Sequence, residues 1–203
     1  RRYPVRMGAA NTASLTVGDI MGLMAAWYPA STAEPWDKVG LICGDPGHRA
    51  SSVLLALDPV DAVAQQAREG GFDMVITHHP LLLRGAQFIP DTDYKGHVLH
   101  TLIEGQCGLL GAHTNADAAI AGVNEALCDA LNLTDRTALA ESQTQELGGE
   151  EHLVGTGRVG TLPEPLTLRA LSERLADALP ATAGGLRIAG RPEQRISRVA
   201  LCG

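Results

Sequence analysis

Two short uncharged stretches, Val53-Leu54-Leu55-Ala56-Leu57 and Met74-Val75-Ile76-Thr77, restrict the fold of this chain more than any other feature. Continuous apolar runs of this length suit strands buried on both faces rather than strands with one wet side. Between them Asp58-Pro59 opens a helix reaching about Glu69, and Gly70-Gly71 stops it. Strand, helix and strand in that order make a crossover unit, so the strands are expected to be parallel with a right-handed connection. The plan is α/β.

Upstream, Thr16 caps a helix over 17–27, in which Ile20, Leu23, Met24 and Trp27 recur at spacings of three and four and are expected in the core. Residues 35–46 read as loop around a brief strand. Downstream come a loop over 84–94, a helix over 94–104, a third strand over 108–112 and a helix over 123–131. The polar stretch 134–151, dense in Gln, Glu and Gly, marks a boundary. We therefore expect an α/β chain with mainly parallel sheets in two domains, the first over 14–133 and the start of a second over 152–203. The second reads as strand (152–161), helix (167–179), strand (186–189) and strand (199–202). The chain stops at Leu201-Cys202-Gly203, where a domain normally continues into a loop and helix, so the second domain is expected to be incomplete.

Hydrophobic residues make up 45% of the 203 and charged residues 19%, ordinary usage for a folded protein. The formal net charge is −7 and no basic block exceeds two residues, which argues against DNA or RNA as a partner. Such a chain also repels phosphorylated substrates unless a bound cation or a local nest of backbone N–H groups reverses the field at the site. Cys43, Cys107, Cys128 and Cys202 show no C-x-x-C spacing and read as reduced, buried thiols. The basic start, Arg1 to Arg6, leads into no apolar leader, and no apolar run is long enough to span a bilayer, so a cytoplasmic protein away from membranes is expected. Gly8 to Thr12 fits a myristoylation pattern, but Met7 before it is internal.

In open parallel sheets, ligands bind beyond the carboxyl ends of the strands. Two polar clusters fall there: Thr77-His78-His79-Pro80 and His113-Thr114-Asn115-Ala116-Asp117. Two imidazoles and a carboxylate, His78, His79 and Asp117, make a candidate site for a borderline divalent metal. Adjacent side chains of an extended strand point to opposite faces, so the histidines suit two neighbouring ions better than one. Pro80 keeps His79 out of the helical region. Plainer readings stand beside these. A histidine pair can end a strand by bonding to backbone, and Asp117 can cap a helix. His113 is a ligand, a group that orients one, or a loop residue. His97 and His100, three apart on a helix, either share an ion or face solvent, the simpler choice. Asp58 either assists at the same edge or caps the helix after it. Asp37 and Asp45 read as turn residues. No G-x-S-x-G elbow, P-loop or complete G-x-G-x-x-G follows a strand.

In their order, Trp36-Asp37-Lys38-Val39-Gly40-Leu41, Ala56-Leu57-Asp58, Ile76-Thr77-His78-His79-Pro80-Leu81, Ala112-His113-Thr114-Asn115-Ala116-Asp117-Ala118 and Arg198-Val199-Ala200-Leu201-Cys202-Gly203 resemble the Nif-three-like proteins. These are also called GTP cyclohydrolase 1 type 2 homologues or dinuclear-metal-centre hexameric proteins. The likeness runs from Thr16 to Gly203. It implies two similar three-layer α/β domains, a toroidal homohexamer, two divalent ions per subunit (Zn first; Fe, Mn, Co or Ni compatible), and His78, His79 and Asp117 as ligands. It further implies a metal-dependent hydrolase acting on GTP, or else a non-catalytic metal-binding or interaction ring. The family draws further ligands, a His and a Glu four residues later, from beyond the segment matched by Val199 to Gly203. Lys38 and Ala116 depart from the usual Asn and Leu, and the long insert of some members is absent.

Overall fold

The computed structural model describes residues 15–203, apart from the side chains at 141, 142 and 147. The basic start and the Gly8 to Thr12 pattern lie outside the described residues. The protein is a two-unit α/β fold. Residues 15–24 with Gly40–Gly111 form one compact unit, and Ala25–Val39 with Ala112–Gly203 form the other.

Helix α1 (Val17–Trp27) has its first eight residues in the first unit, which also holds strand β1 (Gly40–Cys43), strand β2 (Val53–Ala56), helix α2 (Asp61–Gly70), strand β3 (Met74–Thr77), helix α3 (Tyr94–Glu104) and strand β4 (Gly108–Gly111). Their order across the sheet is β1-β4-β3-β2, with β2, β3 and β4 parallel and β1 antiparallel at the edge. The parallel pairing of the two strands around a helix is therefore as expected, and α2 ends on Gly71 in the left-handed conformation, which lets its N–H reach back to Ala67 and Arg68. Ala64, Ala67, Val75, Val98, Leu102 and Leu109 build the core. Thr16 caps α1 as expected: its hydroxyl accepts from the Asp19 N–H, and Asp19 accepts from the Thr16 N–H in return.

Two expectations here are corrected. β2 is an edge strand rather than one buried on both faces: Val53 and Leu55, two apart on one face, are exposed, Leu55 at 73%, while Leu54 and Ala56 on the other face are half-buried. On α1 only Val17 is buried, while Leu23 and Trp27 are exposed. Val17 is the residue that meets the sheet, against Gly108, so the apolar spacing along the helix overstates its core face.

The second unit holds helix α4 (Thr114–Ala118), helix α5 (Val123–Ala130), strand β5 (Thr134–Leu147), strand β6 (Glu150–Thr167), helix α6 (Leu168–Ala178) and strand β7 (Arg195–Leu201). Cys128, Leu131 and Leu133 pack with Leu162 and Leu171 in one core, so 112–133 belongs with the strands and helix downstream rather than with a domain ending at 133. Nor is 134–151 a linker. It is most of a long hairpin, turned by Gly148 and Gly149 at φ +66° and +88°, the two positive values that a tight two-residue hairpin turn needs. The sheet, ordered β5-β6-β7, is antiparallel throughout, unlike the parallel alternation expected there. Residues 186–189 form no strand, and Leu186 and Ile188 are exposed. Helix α6 is capped by Thr167, whose hydroxyl accepts from the Ala170 N–H.

All four cysteines are free; Cys107 and Cys128 are buried, Cys43 is half-buried and Cys202 is exposed, which corrects the expectation for that thiol. No helix among the described residues is long and apolar enough to cross a membrane.

Candidate metal centre

The histidine pair follows directly from strand register. Ala56 of β2 lies opposite Thr77 of β3, so two residues further along each strand Asp58 arrives beside His79. The chain stays paired past the strand ends: the His78 and His79 N–H groups donate to the carbonyls of Ala56 and Leu57 at 3.3 and 2.9 Å. Asp58 Oδ1 then meets His79 Nδ1 at 2.6 Å. Helix α2 takes Val60, not Asp58, as its cap residue, so the pairing with His79 displaces the capping alternative. His78 and His79 sit in a bend beyond β3, and their ring centroids are 5.1 Å apart at 50°. The two rings thus lie close together instead of diverging to opposite faces.

Asp117 sits in the second unit within the five-residue α4, and it caps neither α4 nor α5, whose cap residues are His113 and Gly122. It is 8% exposed. Its backbone N–H donates to the His113 carbonyl and its own carbonyl accepts from Asn124 Nδ2 at 2.9 Å. Asn124 is fully buried, and its side-chain oxygen accepts from the Gly203 N–H at 2.7 Å, which ties the Asp117 segment to the chain around Cys202-Gly203.

His113 is held by Asp37, whose Oδ2 lies 3.0 Å from its Nδ1 and also accepts from the Thr114 hydroxyl and N–H at 2.6 and 3.1 Å. Burial works to raise the Asp37 carboxyl, but the Thr114 bonds and the neighbouring His113 outweigh it and hold it below the usual carboxylate range. Trp36 stands edge-on to His113 with ring centroids 6.1 Å apart. Asp37 is therefore more than a turn residue, whereas Asp45 is the expected one, accepting from the Gly47 N–H at 2.8 Å.

His97 and His100 are each engaged by other groups. His97 stands between Asp91 at 2.8 Å and Asp61 at 3.2 Å, and His100 donates to the Ile89 carbonyl. The Asp91 bond, against some loss of solvation, raises the His97 pKa. Both residues fasten the loop before α3.

The donor chemistry fits a borderline divalent cation. With its Nδ1–H donated to Asp58, His79 carries its lone pair on Nε2, the arrangement usual for a ligating histidine. Among the described residues no three His, Cys, Asp or Glu side chains are gathered in a group able to hold an ion, so the metal reading rests on the chemistry of the donors in each unit.

Residues 15–203 match the model of the family described as Duf34/NIF3 (NGG1p interacting factor 3). The chain belongs to this family. A Streptomyces coelicolor relative, called GTP cyclohydrolase 1 type 2 homolog, is 42% identical over 187 residues, 92% of this chain and 64% of the relative. The chain thus spans less than two thirds of that protein. A Mycobacterium tuberculosis relative with the same name is 29% identical, covering 94% of this chain and 76% of its own. Among solved structures, a Bacillus cereus protein related to NIF3 matches with a TM-score of 0.84 at 20% identity, over 94% of this chain and 76% of that one, and shares the fold. A Staphylococcus aureus hypothetical protein matches with a TM-score of 0.79 at 26% identity, over 94% and 72%. The two-unit α/β fold expected of this family member is thus the fold it has, with the second sheet antiparallel.

The sequence pointed to His78, His79 and Asp117, gave Asp37 only a turn role, and passed over three residues that hold them or their neighbours: Asn124, Gln145 and Arg158. Gln145, 4% exposed, accepts from the Ile120 N–H and donates to the Trp27 carbonyl. Their one signal is polarity at positions that must face inward, which becomes readable only when the strands and helices around them are placed.

Proposed function

We propose that this protein binds divalent metal ions through His78, His79 and Asp117 and acts as a metal-dependent hydrolase. The observation that supports this best is the 2.6 Å pairing of Asp58 with His79 Nδ1. A carboxylate on one imidazole nitrogen fixes the tautomer and makes the other nitrogen a stronger donor, which is how ligating histidines are commonly backed. Asp117 enters through its position in the family motif. The bound ions, two per subunit and Zn before Fe, Mn, Co or Ni, supply a water of lowered pKa and positive charge for an anionic substrate. The chain's own residues do the positioning. Asp58 aims His79, Pro80 restricts the backbone behind it, and Asn124 fixes the Asp117 carbonyl.

The relatives' names make GTP the proposed substrate, with opening of the guanine imidazole ring and release of formate. At a net charge of −7 the chain needs a cation to receive a triphosphate, so the metal and nucleotide readings support each other. A cytoplasmic homohexamer is the proposed assembly.

The test is formate release from GTP by metal-free protein, before and after addition of Zn²⁺ or Mn²⁺, alongside His79→Ala. Metal-dependent formate that the variant fails to produce supports the hydrolase. Absence of formate with every metal favours a non-catalytic metal-binding or interaction protein, the second reading, which the family's description as an interacting factor supports.

A further inference from the structure

We infer that Arg158 is the positioning residue for Asp117, fixing the short helix that carries this proposed ligand; the inference rests on the metal reading above. A guanidinium this deeply buried, at 4% exposure, is costly unless every N–H finds an acceptor. Arg158 meets that condition. Its Nε donates to Glu125 Oε1 at 2.6 Å, one terminal nitrogen to the carbonyls of Gly155 and Gly157 at 2.9 and 2.8 Å, and the other to those of Ala118 and Ala119, both at 3.0 Å.

The last two acceptors carry the argument. Helix α4 has five residues, too few to hold together alone, and its final carbonyls lack partners within the helix. Arg158 supplies those partners from the opposite wall, with a positive charge at the helix's negative end. With Asn124 on the Asp117 carbonyl, three consecutive carbonyls, those of 117, 118 and 119, are held by buried side chains. The Asp117 N–H is held by the His113 carbonyl. The backbone on both sides of the Asp117 side chain is thereby fixed, and with it the point and direction from which the side chain leaves the helix. Glu125 aims the guanidinium and is itself shared with Arg136 at 2.9 Å. A lysine at 158 keeps the charge but has three donors on a flexible stem, too few to span the same acceptors.

The experiment titrates Zn²⁺ alone, in competition with a chromophoric chelator, into the parent and into Arg158→Lys, Arg136→Lys and Asp117→Asn, with metal-free thermal unfolding of each. Arg158→Lys is expected to weaken Zn²⁺ binding about 10- to 100-fold, as loss of an outer support does. Arg136→Lys, whose parent side chain reaches Glu125 and Asp129 but not α4, is expected to keep parental affinity even if its melting temperature drops. Parental affinity in Arg158→Lys, or equal losses in both arginine variants in step with melting, overturns the inference. Should Arg158→Lys not fold, Glu125→Gln loosens the aim of the guanidinium. A few-fold weaker affinity is then expected, and unchanged affinity overturns the inference. If the parent takes up no Zn²⁺, or Asp117→Asn binds as the parent does, the metal reading itself fails and this inference with it. If Asp117→Asn loses affinity while Arg158→Lys keeps it, only the positioning role is lost.

Discussion

The first unit presents its proposed ligands at a sheet edge, whereas the second sets its own inside a buried polar framework. His79 and Asp58 have side chains 46% and 53% exposed and meet because two parallel strands are in register. Asp117 and the residues around it, Asn124 and Arg158, are each less than a tenth exposed and meet through side chains that reach for backbone carbonyls. In one unit the main-chain ladder does the positioning and the side-chain bond is nearly independent of stability. In the other the same bonds that aim the ligand also hold the unit together.

That contrast ranks the expected effects of substitution. Arg158→Met should be the most damaging, at about 3–5 kcal/mol in urea unfolding, because it removes all five hydrogen bonds of a buried guanidinium, four to backbone carbonyls and one to the Glu125 carboxylate. A loss under about 1 kcal/mol would show that the framework is dispensable. Asn124→Ala should cost about 1–3 kcal/mol by the same assay, since it removes two buried hydrogen bonds and leaves the Asp117 carbonyl without its donor.

In the first unit, Asp73 provides a surface counterpart. Its Oδ2 accepts from the backbone N–H of Ser51, and from the Ser52 side chain and N–H and the Ser51 hydroxyl, which hold its pKa down at about 2 against some loss of solvation. A folded value below the ordinary 3.8 means that the carboxylate stabilises fully above 3.8 and ceases to do so as the pH falls from there through 2. With solvent screening near the surface, about 1 kcal/mol is at stake. Asp73→Asn should therefore lose about that much at pH 7 and show a flatter stability profile between pH 4 and 2; an unchanged acid limb contradicts it. The smallest effect on stability belongs to Asp58→Asn, within about 0.5 kcal/mol, although its Zn²⁺ affinity should fall about tenfold or more. A large loss of stability in this variant would erase the distinction between the units.

Legibility in the sequence divides along the same line. Helices α2 and α3 and strands β3 and β4 are legible because apolar runs and glycine stops act locally, and His78 and His79 are legible because they close a strand. The hairpin of β5 and β6 hides behind its polarity: one face is wet, so Gln, Glu and Thr fill the sequence while Gln145 turns inward. Its Gly148-Gly149 turn is the available signal, but two glycines in a polar stretch suit a linker equally well. The exposed sides of α1 and β2 show the reverse error, in which apolar spacing implies a core that does not cover them. Arg158 is unreadable for a deeper reason. Its role lies in carbonyls 39 and 40 positions away, and backbone acceptors leave no trace in residue identity.

The central claim is that the histidine pair binds metal. It is tested most directly by elemental analysis of the chain purified without chelator or added histidines, beside His79→Ala. The expected result is close to two divalent ions per chain in the parent and a clear loss in the variant. Equal metal content in both, or no stoichiometric metal in the parent, would contradict it.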